Sequence, residues 1–72
     1  MDEFLENSEI SLEEALRSAH YQETEMMRQY MIMAEKLDTL GLPELKHRLR
    51  EFAEGNAKRS KQLEDELARL MQ

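Results

Sequence analysis

Polar side chains interrupt the apolar helical patterns of this sequence at a few positions, and these residues could support binding chemistry. In the first half of the chain Glu23 lies between Ala19 and Met26, at spacings that otherwise hold apolar side chains. In the second half Asn56 and Arg59 interrupt the pattern in the same way. A carboxylate, an amide and a guanidinium at core positions predict a paired polar cluster, because an unpaired buried charge is costly.

The order of the two segments predicts that these interruptions meet. In an antiparallel hairpin, residues lie level with each other when their numbers add up to about 82. Glu23 then lies level with Arg59, and Tyr30 with Phe52. Arginine stays protonated, cannot coordinate a metal and forks well onto a carboxylate. We therefore predict an ion pair within a buried polar layer that comprises Glu23, Tyr30, Asn56 and Arg59.

Two alternatives to this interpretation remain open. If Ser60 faces inward, Arg59 can extend outward to solvent. His20 and Glu23, three residues apart on one helical face, have a spacing that can chelate a divalent metal, and their mates in a dimer would complete four donors. The simpler interpretation is that His20 is hydrogen-bonded at the edge of the core and that no metal binds.

The remaining candidates for catalysis or metal binding are weak. Glu44 and His47 form a literal Glu-x-x-His, but Leu45 and Leu49 define the core there, so we expect both polar residues on the surface. The sequence contains no Ser/His/Asp or Cys/His set and no glycine-rich phosphate loop. We therefore predict no catalytic residue.

Long amphipathic helices are the elements that must position the polar layer. Ser11 and Glu14 have the spacing of a capping box, and apolar residues follow at alternating spacings of three and four as far as Leu40. Gly41 suits the end of this helix and Pro43 the first turn of another. The predicted all-α fold is an antiparallel hairpin with an acidic lead-in over residues 1–10, helix 1 at about 12–40 and helix 2 at about 43–71.

The apolar stripes of both helices are wider than a two-helix seam requires. The first stripe contains Leu12, Leu16, Ala19, Met26, Tyr30, Met33, Leu37 and Leu40, and the second contains Leu45, Leu49, Phe52, Leu63, Leu67 and Leu70. Further residues widen them: His20, Met27, Met31 and Ala34 in the first, and Ala53, Ala57 and Ser60 in the second. One hairpin cannot cover this width, so we expect a homodimeric four-helix bundle. The methionines are interpreted as adaptable core residues.

Composition limits the classes of partner. Charged residues make up 36% of the 72, and the net charge of −6 disfavours nucleic acid and anionic membrane surfaces. Without cysteine, the chain forms no disulfide or thiolate metal site. No apolar run approaches the roughly 20 residues of a membrane span, and the first residues are acidic where a signal peptide would be basic. We expect a cytoplasmic protein with no nucleic-acid or membrane partner.

Glu23-x6-Tyr30 in the first helix and residues 53–59 in the second resemble the ferritin-like superfamily, rubrerythrin-type members in particular. The resemblance covers roughly residues 12 to 70. It implies paired hairpins around a di-iron centre, with Glu23 as the bridging glutamate. Asn56 stands where that family has a glutamate, and Arg59 stands where it has a histidine. Of the three ligand positions in each hairpin, only Glu23 remains.

This departure changes the charge of the site. The family's four carboxylates carry four negative charges, which two ferrous ions cancel, whereas two glutamates and two arginines cancel without metal. We therefore expect a non-enzymatic structural or protein-interaction module that has lost its di-iron site and binds no cofactor. One alternative is an iron-binding, ferroxidase-type protein that uses Glu23 and His20. A second is a small regulatory hairpin whose methionine-rich face binds another helical protein.

Overall fold

Two helices form the protein, as a computed structural model shows for residues 8–72, with side chains described from residue 12. Helix α1 spans Ser8–Thr39 and helix α2 spans Pro43–Leu70. They pack against each other in antiparallel orientation, and residues 8–72 contain no strand. The predicted all-α hairpin is confirmed. Within this range neither helix combines the length and the apolar character needed to cross a membrane.

Helix α1 begins earlier than the sequence predicted. It starts at Ser8, so Ser11 lies inside the helix rather than at its N-cap, and the predicted capping box is wrong. Residues 1–7 of the predicted lead-in lie outside the described residues.

The turn between the helices follows the predicted chemistry. Gly41 has a φ of +72°, in the left-handed region that glycine adopts without steric cost. The Leu42 amide donates to the Leu37 carbonyl at 3.1 Å, and the Gly41 amide donates to the Asp38 carbonyl at 3.2 Å. These two bonds satisfy carbonyls at the end of α1 in the manner of a Schellman motif. Lys46 Nζ lies 2.9 Å from the Asp38 carboxylate and ties the two helices across the turn.

Small residues form the seam between the helices. Ala34 and Ala53 are the buried apolar residues of the described chain, and Asn56 is the buried polar one. The sequence placed both alanines on the flanks of the stripes, and that assignment is wrong. Small side chains suit the seam because they let two helices approach closely. No large side chain among the described residues is fully buried, so the hairpin has almost no core of its own.

Most residues of the two predicted stripes instead lie on one outer face of the hairpin, which we call the stripe face. Periodicity and the contacts between the helices place on it Leu12, Ala19, Glu23, Met26, Tyr30, Met33, Leu37, Leu40, Leu45, Phe52, Arg59, Leu63 and Leu70. The other stripe residues, Leu16, Leu49 and Leu67, are half-buried at the rotational positions of the seam. Seven of its large apolar residues are between 38% and 69% exposed, namely Leu12, Met26, Met33, Leu40, Leu45, Phe52 and Leu70. The predicted core is therefore largely uncovered in the single hairpin.

Candidate functional site

Glu23 is the centre of a polar cluster that it forms with Asn56 and Arg59. Asn56 Nδ2 donates to Glu23 Oε1 at 2.6 Å. Arg59 Nε donates to both oxygens of the same carboxylate at 3.0 Å. The ion pair that the sequence predicted between the two helices is therefore present. The three residues lie at the stripe-face edge of the seam.

The polar cluster is partly exposed in the single hairpin. Asn56 is buried, but the Glu23 side chain is 23% exposed and the Arg59 side chain is 55% exposed. Ser60 takes the inward position beside Arg59, and its hydroxyl lies 3.2 Å from that of Thr24. The alternative register, with Ser60 facing inward, therefore describes the seam. Arg59 nevertheless reaches Glu23, because its long side chain extends to the carboxylate from the rim.

Gly55 makes room for the guanidinium of Arg59. A Cβ atom at position 55 would lie 3.3 Å from Arg59 Nη1 and 3.8 Å from Nη2. Glycine within a helix costs about 1 kcal/mol of stability relative to alanine. The guanidinium of Arg59, which lies close to position 55, gives a local reason for glycine there. The apolar periodicity of the sequence does not distinguish Gly55. The available signal was its place one helical turn before Arg59, where side chains of neighbouring turns meet.

Tyr30 does not join the polar cluster. Its ring packs against Phe52 on the stripe face, with ring centroids 5.5 Å apart and an interplanar angle of 42°. The prediction that these two residues lie level is confirmed, whereas the predicted polar layer loses its tyrosine. Two helical turns, about 10 Å along the axis, separate Tyr30 from Glu23. Tyr30 therefore contributes to the apolar surface rather than to the charged site.

Glu23 is held in its charged form. The hydrogen bond from Arg59 is the largest influence and lowers the pKa of the Glu23 carboxyl; the bond from Asn56 lowers it further, and partial burial opposes both. Asn56 Oδ1 is buried and has no hydrogen-bond partner within residues 8–72. An unsatisfied buried acceptor costs about 1–3 kcal/mol. An amide at a core position of paired helices can fix their register, and this role gives a reason for Asn56 despite the cost.

His20 pairs with Glu64 rather than with the polar cluster. Its Nε2 is 3.3 Å from the Glu64 carboxylate, whereas Glu23 is engaged by Arg59 and Asn56. The two residues of the metal-binding alternative therefore have different partners.

The Glu-x-x-His at the start of α2 lies on the surface. Glu44 and His47 are both exposed, as predicted, and His47 lies 3.3 Å from Glu51 of the same helix. Both Glu44 and His47 lie at least three helical turns before Arg59 along α2.

The residues present do not fit the di-iron centre that the ferritin-like resemblance implies. In the range that the structure describes, no three His, Cys, Asp or Glu side chains converge on one point. Arg59 has no lone pair to offer a metal, and the Asn56 amide donates to Glu23. Both oxygens of Glu23 already accept hydrogen bonds from Arg59.

The fold and this site define a small antiparallel helical hairpin with a polar cluster on its apolar face. No protein-family model, curated protein or solved structure matches the chain. The ferritin-like resemblance rests on Glu23, Tyr30 and the segment around Asn56 alone.

Proposed function

We propose that the protein is a non-enzymatic, ferritin-like interaction module that works as a homodimeric four-helix bundle. In this bundle the polar cluster takes the place of a di-iron site. The cytoplasm is the proposed compartment, since a net charge of −6 disfavours anionic membrane surfaces and nucleic acid. The proposal has two parts, dimerisation and the loss of metal, and separate observations support them.

The exposed stripe face is the observation that carries the proposal. Its seven exposed large apolar residues are on average half exposed. At about 200 Å² for a fully exposed large side chain, they leave roughly 700 Å² of apolar surface. The largest apolar patch of a typical monomer is about 300–600 Å², and each partner in a standard interface buries about 800 Å². A surface of this size supports a stable protein partner.

A second copy of the hairpin is the partner that fits this surface best. The stripe face carries both members of the Glu23–Arg59 ion pair, so its centre is charge-neutral and can meet an identical face without repulsion. Twofold dimers are the commonest closed assemblies of identical chains. Two hairpins packed face to face also supply the core that a single hairpin lacks.

The ion pair between Glu23 and Arg59 supports the loss of metal. A buried glutamate needs a positive partner, and Arg59 supplies it permanently because the guanidinium does not lose its proton. The two glutamates and two arginines of a dimer are neutral together. Binding a cation would require Glu23 to give up Arg59 and would leave a positive charge on an apolar face.

The mass of the protein in solution and its metal content test the two parts separately. Light scattering should give about twice the chain mass of 8.6 kDa at micromolar concentration. Protein purified from iron-replete cells should hold far less than one iron per chain and show no ferroxidase activity. A folded monomer would contradict the dimer. Stoichiometric iron would contradict the loss of metal and favour the alternative based on Glu23 and His20.

The opposite face favours a second candidate function, a regulatory hairpin that binds a partner helix. Met27, Met31, Ala53 and Ala57 line a groove of about 440 Å³, together with Arg50 and Glu54. Methionine side chains re-pack easily, which suits a surface that accepts different helices. Met31→Asp tests this face: loss of binding to a helical protein at unchanged dimer mass would support the second function.

A further inference from the structure

We propose that the two hairpins of the dimer meet with their polar clusters in contact, forming one neutral site of two glutamates and two arginines. Each Arg59 then donates to the partner's Glu23 as well as to its own. The inference rests on the proposed homodimer and adds which residues meet across it. It makes the polar cluster the element that fixes how the two copies align.

The position of the polar cluster along the helices is the first support. Glu23 divides α1 into segments 8–22 and 24–39, and Asn56 divides α2 into segments 43–55 and 57–70. Both residues therefore lie at the middle of their helices. Hairpins that face each other over their full length bring these mid-points together, whether the twofold axis is parallel or perpendicular to the helices. Only a dimer staggered along its length would separate the two clusters.

The unused hydrogen-bonding capacity of the polar cluster is the second support. Among the described residues, Arg59 bonds to Glu23 through Nε alone, so Nη1 and Nη2 are free to donate. A carboxylate offers about four lone-pair sites, and three hydrogen bonds reach Glu23 within the hairpin. Donors remain on one side of the ion pair and an acceptor site on the other. A twofold axis brings the free donors of each Arg59 next to the free acceptor site of the other copy's Glu23.

The cost of burying charge is the third support. Glu23 and Arg59 keep part of their hydration in the single hairpin, since their side chains are 23% and 55% exposed. A second copy that covers the stripe face removes this water, which is costly unless new hydrogen bonds replace it. A staggered dimer would place each ion pair against the partner's apolar side chains, which offer no hydrogen bonds to replace the lost water. The aligned dimer replaces the lost water with hydrogen bonds to the partner's polar cluster.

Two charge reversals test the contact between clusters. Glu23→Arg makes the cluster entirely positive, and Arg59→Glu makes it entirely negative. Each variant alone should homodimerise about 100-fold more weakly than the parent, because like charges would meet in a buried site. When the two variants are mixed, heterodimer should form well above the statistical half, as measured by native mass spectrometry. Circular dichroism before and after mixing detects the rescue if either variant is unfolded by itself.

Matched controls separate this inference from the proposed function. Glu35→Arg and Lys58→Glu make the same charge changes at exposed positions off the stripe face, and their dimers should mix statistically. A monomeric parent would overturn the dimer and with it the proposed function. A dimeric parent whose cluster variants mix no better than the controls, or stay unfolded after mixing, would overturn the contact between clusters alone.

Discussion

Arg59 holds Glu23 from the rim of the hairpin rather than from its interior. Its Nε lies 3.0 Å from both carboxylate oxygens, while 55% of its side chain remains exposed. On the other side of the carboxylate, Asn56 is buried in the seam. The ion pair thus connects the seam to the stripe face. Its contribution to stability depends on whether another surface covers that face, because exposed and buried ion pairs differ several-fold in energy.

Removing one partner of the ion pair measures this contribution. In the proposed dimer, Glu23→Gln or Arg59→Met alone should lower the free energy of unfolding by about 3–5 kcal/mol, because each leaves an unpaired buried charge or an unsatisfied partner. The double variant should recover much of that loss. Urea denaturation at fixed protein concentration gives the double-mutant cycle. Small additive effects, each under about 1 kcal/mol, would show that the pair stays exposed to solvent.

Phe52 and Tyr21 provide a test of the stripe face itself. Both aromatic residues are more than half exposed in the hairpin, at 55% and 65%, but only Phe52 lies on the stripe face. Phe52→Asp should dissociate the dimer and unfold the chain together, with a loss of about 3–5 kcal/mol. Tyr21→Asp, at a position that points away from the interface, should change stability by less than about 1 kcal/mol. Equal effects of the two substitutions on mass and unfolding would contradict an interface on this face.

Gly55→Ala should have an effect that depends on Arg59. Alanine favours a helix over glycine by about 1 kcal/mol, but the new methyl group would lie 3.3 Å from Arg59 Nη1 and move the guanidinium. In the parent the two effects oppose each other. In an Arg59→Met background the full gain of about 1 kcal/mol should appear. Thermal or urea unfolding of the four proteins gives the comparison, and an equal gain in both backgrounds would mean that Gly55 does not serve Arg59.

The pH dependence of stability should reflect the lowered pKa of Glu23. A carboxyl whose pKa is lower in the folded state stabilises the fold fully above its unfolded pKa, and this contribution is lost as the pH falls through the folded value. The parent should therefore have a higher free energy of unfolding than Glu23→Gln, and this difference should be complete at neutral pH and shrink below about pH 5. Urea unfolding across a pH series measures it.

Asp38 supplies the control for the pH series. The hydrogen bond from Lys46 lowers the pKa of the Asp38 carboxyl as well, at the turn rather than on the stripe face. Asp38→Asn should therefore also lose part of the parent's acid-dependent stability, but without any change in dimer mass. A difference between the parent and Glu23→Gln that stays constant from pH 7 to acid would rule out the ionised carboxylate as its source.

The sequence by itself determined the hairpin and the level at which its polar residues meet. Helical periodicity and the chemistry of Gly41 and Pro43 act over a few residues, so they can be predicted from the chain. A short connection then leaves little freedom in the pairing of the helices. For this reason the chain order alone predicts that Tyr30 lies level with Phe52, and Arg59 opposite Glu23, as the structure shows.

Only the tertiary structure decided which side of each helix enters the seam. Neighbouring core positions on a helix differ by about 50° of rotation. The apolar stripes are wide enough for either side of each helix to face the seam. Packing between the helices chose Ala34 and Ala53 for the seam and left Met33 and Phe52 on the outer face. It also turned Ser60 inward and Arg59 to the rim. These choices depend on how side chains of one helix fill the spaces of the other, which no local pattern encodes.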